Sequence, residues 1–460
     1  MRRFLLALIP ALLTSLLLAA CGGEEAAPTG ETPGATPSAG PVTIDMWHSE
    51  PAANEETLKR LADRFNASQD EVRVRPIYQG GPGDVMTKLM AATGSGQVPA
   101  IAFLMETFIQ RMIDSGFAAP VHDFVDREDY DLSDLDERAV EYYTVQDKLW
   151  GAPFCADIPL LYYNKVTFRE VGLDPERPPR DLEELRQYSQ KILKRDASGQ
   201  LVRSGIALHI TLWTEQVFAQ QGDLFVDKGN GREGRATKVL FDNDTGRRFF
   251  QWWHDMVEEG LALNVGRNPS GAENYIAVAT GRAAMTFGYA GALSSIVNAL
   301  ESGELGALIE IGAGAVPGLP GGSGASLLLG HGLWILNQRP EEEQEAAWKF
   351  ISWLLQPEQQ AEWFAGSGCL PVSRSAVDLP AARDIVAQYP LFQVALDVYL
   401  NAPANPASLG AMIGPFPEVR EAIERGLEEM LSGNKDPMEA LEEAAARADE
   451  ILADYNKRVD

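Results

Sequence analysis

Trp47-His48-Ser49, Tyr78-Gln79-Gly80-Gly81, Glu106, Tyr289 and the neighbourhood of His331 each border a short apolar run of this 460-residue chain. An ionised carboxylate such as Glu106 accepts hydrogen bonds from two neighbouring hydroxyls, and its charge makes those bonds stronger than neutral pairs. Taken singly, each residue is as well explained by a helix cap or a solvated loop. Their recurrence beside successive apolar runs points to one shared site. Covalent or metal chemistry has less support. The five histidines, His48, His122, His209, His254 and His331, are too scattered to nominate a metal site, and no CxxC, HExxH, GxxxxGK[ST], strand-flanked GxGxxG or GxSxG motif occurs. The sequence therefore calls for no cofactor and nominates no catalytic residue.

Alternating strands and helices must position these residues. Val42–Trp47 alternates as a strand, and Glu55–Asn66 sets Leu58, Leu61, Ala62 and Phe65 on one helical face. A second strand is expected over Val72–Tyr78, a second helix over Asp84–Ala92 and a buried strand over Ala100–Met105. Further strands are expected at Leu160–Tyr163, Ile206–Ile210, Ala283–Phe287 and Gly332–Leu336, with helices at Leu182–Leu193, Thr245–Glu259, Glu341–Leu355 and Glu418–Leu431. This alternation predicts an α/β fold with helices on the faces of its sheets, where ligands collect beyond the carboxyl ends of strands.

Charge narrows the partners. With 39 Lys and Arg against 66 Asp and Glu, the formal charge is −27, a poor match for nucleic acid or anionic headgroups. Arg2 and Arg3 precede an apolar run from Phe4 to Ala20 that ends at Cys21, the pattern of an export signal over residues 1–20. Leu18-Ala19-Ala20-Cys21 resembles a bacterial lipobox, which implies cleavage before Cys21 and its diacylation. Residues 22–41 consist of Gly, Glu, Ala, Pro, Thr and Ser, unable to bury a core, so 21–41 reads as an acylated cysteine and flexible tether. The remaining cysteines, Cys155 and Cys369, leave one disulfide or two free thiols open.

Several ordered stretches resemble a known family: Trp47-His48-Ser49, LADRFN from Leu61, Pro153-Phe154, LLYYNK from Leu160, GLDPERPP from Gly172, GRAAM from Gly281, Gly332–Trp334 and CLPV from Cys369. The chain is similar to the extracellular solute-binding proteins of carbohydrate-type ABC importers, most of all the sn-glycerol-3-phosphate-binding proteins, from Val42 to about Ala453. The resemblance implies a two-lobed periplasmic-binding-protein-like fold of type II with hinge crossings and a ligand cleft. Lobe 1 is expected at about 42–153 plus 287–345, and lobe 2 at about 154–286 plus 346–460. It also implies a non-enzymatic monomer, exported and held at the outer face of the cytoplasmic membrane or in the periplasm, that delivers solute to permease subunits.

The resemblance carries ligand contacts onto Tyr78 and Glu106 for glycerol and onto Gly330 and Arg420 for phosphate, with His331 beside Gly330. Four positions depart from the family pattern: Asp157 and Tyr289 stand for two phosphate-binding serines, Leu182 for a Trp and Cys369 for a Tyr. Asp157 would repel a dianion, and Leu182 would leave room for bulk. The departures favour a glycerophosphodiester such as glycerophosphocholine, with the cationic head at Asp157 and Tyr289 or Trp213. A mono- or oligosaccharide would instead stack on Trp213 or Tyr289, with Arg420 paired to Asp157; sn-glycerol-3-phosphate itself is a third ligand. A lipid-anchored glycosidase would need two carboxylates roughly 5–10 Å apart astride a glycosidic bond. Family positions lining the cleft also imply that Cys155 and Cys369 are close.

Overall fold

The computed structural model describes residues 40–93, 96–268, 271–301 and 309–459; the export signal, Cys21 and the tether up to residue 39 lie outside them. Among the described residues two sheets dominate. The first contains β1 (Val42–His48), β2 (Val72–Tyr78), β3 (Ile101–Met105), β4 (Ala118–Ala119), β5 (Ala152–Asp157), β12 (Leu329–Leu336) and β13 (Leu370–Pro371), in the order β13-β5-β12-β3-β1-β2 with β4 on β12. The second contains β6 (Pro159–Asn164), β7 (Lys194–Arg195), β8 (Leu201–Leu208), β9 (Ala262–Asn264), β10 (Ala283–Tyr289) and β11 (Ile311–Ala315), in the order β9-β8-β10-β6-β11 with β7 on β8.

Each sheet has its own core. Helix α1 (Ala52–Ser68) buries Leu58, Leu61, Ala62 and Phe65, the expected stripe, in the core that also holds Ile44, Met46 and Phe103. Helix α2 (Pro82–Thr93) follows β2, and α3 (Ile109–Ser115) ends where Gly116 takes a left-handed conformation, φ 67°. In the second core α4 (Leu182–Ile192) starts under an Asp181 cap that accepts from the Glu184 N–H, and α5 (Trp213–Gln221) and α6 (Asp244–Glu258) pack beside it.

The chain passes from the first sheet to the second between Asp157 and Pro159, re-enters the first core just after β10 at Ala290, Leu293 and Ile296, rejoins the second sheet at β11, returns over 316–328 and leaves the first core again after Met412. These crossings correct the lobe boundaries expected from sequence. Helices α7 (Glu341–Leu354) and α8 (Pro357–Ser367) and the buried residues up to Tyr399 belong to the first core, whereas α9 (Phe416–Leu431) and α10 (Pro437–Val459) belong to the second. Residues 154–157 likewise extend the first sheet, and 287–289 the second. Chain order suggested a single exchange after 345; α7 instead carries Trp348, Phe350 and Ile351, whose apolar surface is satisfied on the first sheet.

A polar seam joins the two halves. Arg111 on α3 forms a two-point pair with Glu418 on α9, at 2.7 and 2.8 Å, and donates to the Gly414 carbonyl at 3.0 Å. Three residues on, Asp114 accepts from Arg235 at 2.7 Å and from the Tyr455 hydroxyl at 3.0 Å.

Candidate ligand-binding site

The strand β3, IAFLM, is buried from Ile101 to Leu104 and leads into Glu106, which opens a short 3-10 turn and is itself only 6% exposed. Its Oε2 accepts from the Gly330 N–H at 3.3 Å, across the pairing of β3 with β12. Burial pushes the Glu106 carboxyl above its ordinary range, opposed by the charges of Arg420 and His331 and by the Gly330 N–H. Gly330 fits because its φ is 143° and a Cβ there would lie 2.0 Å from the Cys155 carbonyl oxygen.

Asp157 ends β5 at the first crossing. Its Oδ1 accepts from the Ile158 N–H at 2.8 Å and from the Gly291 N–H at 3.0 Å. Burial, aided by the charge of Glu106, pushes this carboxyl up to about 6 despite those two donors. Because the folded form holds its proton to higher pH than the unfolded chain, stability should fall as pH rises from about 4 to 6. Two pKa units correspond to at most about 3 kcal/mol, reduced by the partial exposure of the group. Urea unfolding at intervals across that range should give a flatter profile for Asp157→Asn than for wild type; parallel profiles would assign the dependence elsewhere.

Arg420, on the second turn of α9, does not meet Asp157. It forms a two-point pair with Glu215 on α5, Nε to Oε1 and Nη2 to Oε2, both at 2.8 Å, and its guanidinium lies 4.8 Å from the Phe416 ring. Burial alone would lower the Arg420 pKa, but the charge and hydrogen bonds of Glu215 hold it above its usual value. Glu215 was not singled out in the sequence. It lies 205 residues from its partner and looks like an ordinary acid in the first turn of a helix, yet that helix is buried from Trp213 to Gln220. The available signal was the demand of a buried guanidinium for a carboxylate.

Tyr289 stacks on Trp213, ring centroids 5.7 Å apart and planes at 19°, and Tyr289 feels the charges of Arg420, Asp157 and Glu215. Trp213 is 1% exposed and donates through Nε1 to the His209 carbonyl at 2.8 Å, so it supports Tyr289 from the core. Tyr142 and Tyr143 were also missed; both are buried and their titration feels the charge of Glu106. With Glu106, Cys155, Ala156 and Gly330 they line a cavity of ≈ 10 Å3, room for about one water. On the other side a cavity of ≈ 550 Å3 opens between Met86, Met90, Met105 and Arg111 of the first half and Arg420 and Glu424 of the second.

Other expected residues fall at different depths. His331 lies 3.7 Å from Cys155 Sγ and 3.9 Å from a Glu50 oxygen. Cys155 and Cys369 form a disulfide with Cα atoms 5.8 Å apart, joining β5 to the start of β13. Tyr78 stands at the rim, 51% exposed, its ring 5.9 Å from His48. Leu182 is corrected outright: at the first position of α4 it is 1% exposed within the second core, because the apolar face of that helix turns inward.

The model for bacterial extracellular solute-binding proteins matches residues 60–394. The chain is 29% identical over 425 residues to the sn-glycerol-3-phosphate-binding periplasmic protein UgpB of Escherichia coli K12, covering 90% of this chain and 94% of that protein. Among solved structures it is similar to UgpB from Mycobacterium tuberculosis in complex with glycerophosphocholine, at 23% identity and a TM-score of 0.72 over 91% of this chain and 100% of that one. The sugar-binding protein MalE from Xanthomonas citri gives 21% identity and 0.74 over 90% and 98%. Both neighbours share its two-domain fold. The chain belongs to the bacterial extracellular solute-binding protein family, whose members capture solutes for ABC importers.

Proposed function

We propose that this chain is a lipid-anchored receptor that captures a glycerophosphodiester, with glycerophosphocholine as the type ligand, and delivers it to the permease subunits of an ABC importer. The reading is carried by Glu106, whose carboxyl feels the charge of Arg420 and acts in turn on Asp157, where the two halves meet. Glu106 would accept from the glycerol hydroxyls. The phosphodiester, with one negative charge, would take N–H donors of Arg420 that Glu215 leaves unengaged. Asp157 and the Tyr289 ring would face the cationic head. The relatives named for sn-glycerol-3-phosphate, and a structural neighbour bound to glycerophosphocholine, support the same class.

A thermal-shift screen of glycerophosphocholine, sn-glycerol-3-phosphate and mono- to trisaccharides tests it, because a ligand at 100 times its Kd adds about 2.7 kcal/mol to the stability of the native state. Glycerophosphocholine should give the largest shift, and Glu106→Ala should weaken its binding about 10- to 150-fold, the scale of a charge-assisted hydrogen bond. A saccharide giving the largest shift would establish the second reading, which the Tyr289–Trp213 stack favours as a ring platform. The anchor is tested separately. The mature chain from a lipoprotein-competent host should begin at a diacylated Cys21, and Cys21→Ser should release it from the membrane; an unmodified mass would remove the anchor.

A further inference from the structure

The most heavily buried ion pair of the cleft uses a carboxylate that the protein itself supplies. Side chains of Glu215 and Arg420 are 9% and 17% exposed, and their two-point contact takes two of the five N–H donors of the guanidinium. Glu106, only 6% exposed, also acts on Arg420 through its charge, so that two carboxylates face one guanidinium, and Asp157 in turn feels the charge of Glu106. A site meant for a free phosphate monoester has no use for Glu215: it occupies the fork that would grip two phosphate oxygens, and it adds a negative charge where the dianion would sit.

Resting on the reading that this cleft is the ligand site, we propose that Glu215 sets the permitted charge of the ligand. By holding Arg420 in a two-point pair it excludes phosphate monoester dianions and admits solutes whose charges sum to zero, whether zwitterionic phosphodiesters or neutral polyols. Arg420 keeps three donors, enough for the one negative charge of a diester. A second negative charge on the same phosphate would meet Glu215 and Glu106, and Arg111, the other arginine lining the cavity, is already held by Glu418. Charge selection then resides in α5, more than two hundred residues from the arginine that it governs.

Calorimetric titration of the full mature chain with glycerophosphocholine, a neutral saccharide and sn-glycerol-3-phosphate tests the proposal. Wild type should bind sn-glycerol-3-phosphate at least tenfold more weakly than its best neutral or zwitterionic ligand. Glu215→Gln, which keeps length and volume and can still accept one guanidinium bond, should tighten sn-glycerol-3-phosphate at least tenfold relative to the preferred ligand. An unchanged affinity for sn-glycerol-3-phosphate in Glu215→Gln, with ligand binding still lost in Glu106→Ala, overturns the role of Glu215 and leaves the site standing. Unchanged binding of the preferred ligand in Glu106→Ala instead removes the site. Glu215→Asp, too short for the two-point contact, provides a second variant and should tighten sn-glycerol-3-phosphate by a smaller factor. Should neither variant fold, tight binding of sn-glycerol-3-phosphate by wild type still overturns the proposal.

Discussion

Arg420→Ala should cost the folded protein about 3–5 kcal/mol, more than any rim substitution, because it strands Glu215 as a buried charge without its partner. The loss is the desolvation penalty of the survivor rather than the worth of the pair. Replacing both members with apolar residues of similar volume, Glu215→Leu with Arg420→Met, should therefore restore most of the stability while leaving ligand binding absent. Urea midpoints of the two variants decide the point. A loss under about 1 kcal/mol for Arg420→Ala would mean that water reaches Glu215 as soon as the arginine is gone.

Gly330→Ala should rival that effect from a different cause. The backbone there has φ 143°, a region L side chains rarely adopt, and the added methyl would lie 2.0 Å from the Cys155 carbonyl oxygen. Strand β12 would have to move off β5, at a cost of about 3 kcal/mol or more once strain and overpacking combine. Gly330 also donates to Glu106, so the shift should weaken ligand binding together with stability. A stable Gly330→Ala protein with wild-type affinity would show that β12 has room the structure does not display.

The architecture was legible where apolar spacing is strong. The stripe Leu58, Leu61, Ala62 and Phe65 and the run Ala100–Met105 sit where period and length put them. Strand β11, IGAGA, was not legible: glycine and alanine carry little preference for extended structure, and pairing with β6 decides the conformation. The helices between Pro357 and Asn401 were missed as well, and with them the allegiance of 346–399 to the first core, whereas the helix at Glu418–Leu431 was expected and is present.

At the site, single residues at strand ends were readable and their partners were not. Glu106 follows directly from its place after β3, and the resemblance to a family brought Asp157, Gly330 and Arg420 to the same region. The disulfide was open in the residue count and present in the fold. Leu182 failed because one helical position can serve a cleft or a core, and only packing chooses. Glu215 failed because an ion pair between distant helices leaves no spacing to read.

The carboxylate of Asp157 binds the Ile158 N–H of one crossing and the Gly291 N–H of the segment just after β10. Two connecting segments that could each bend on their own, the link at Ile158 and the short 3-10 turn at Ala290–Ala292, are thereby pinned at one point. A pair of free segments allows the halves to slide as well as rotate, whereas a pinned pair leaves chiefly rotation about the pin. Motion would then approximate a single-axis joint, with the seam of Arg111, Asp114, Glu418 and Tyr455 tracing an arc about it.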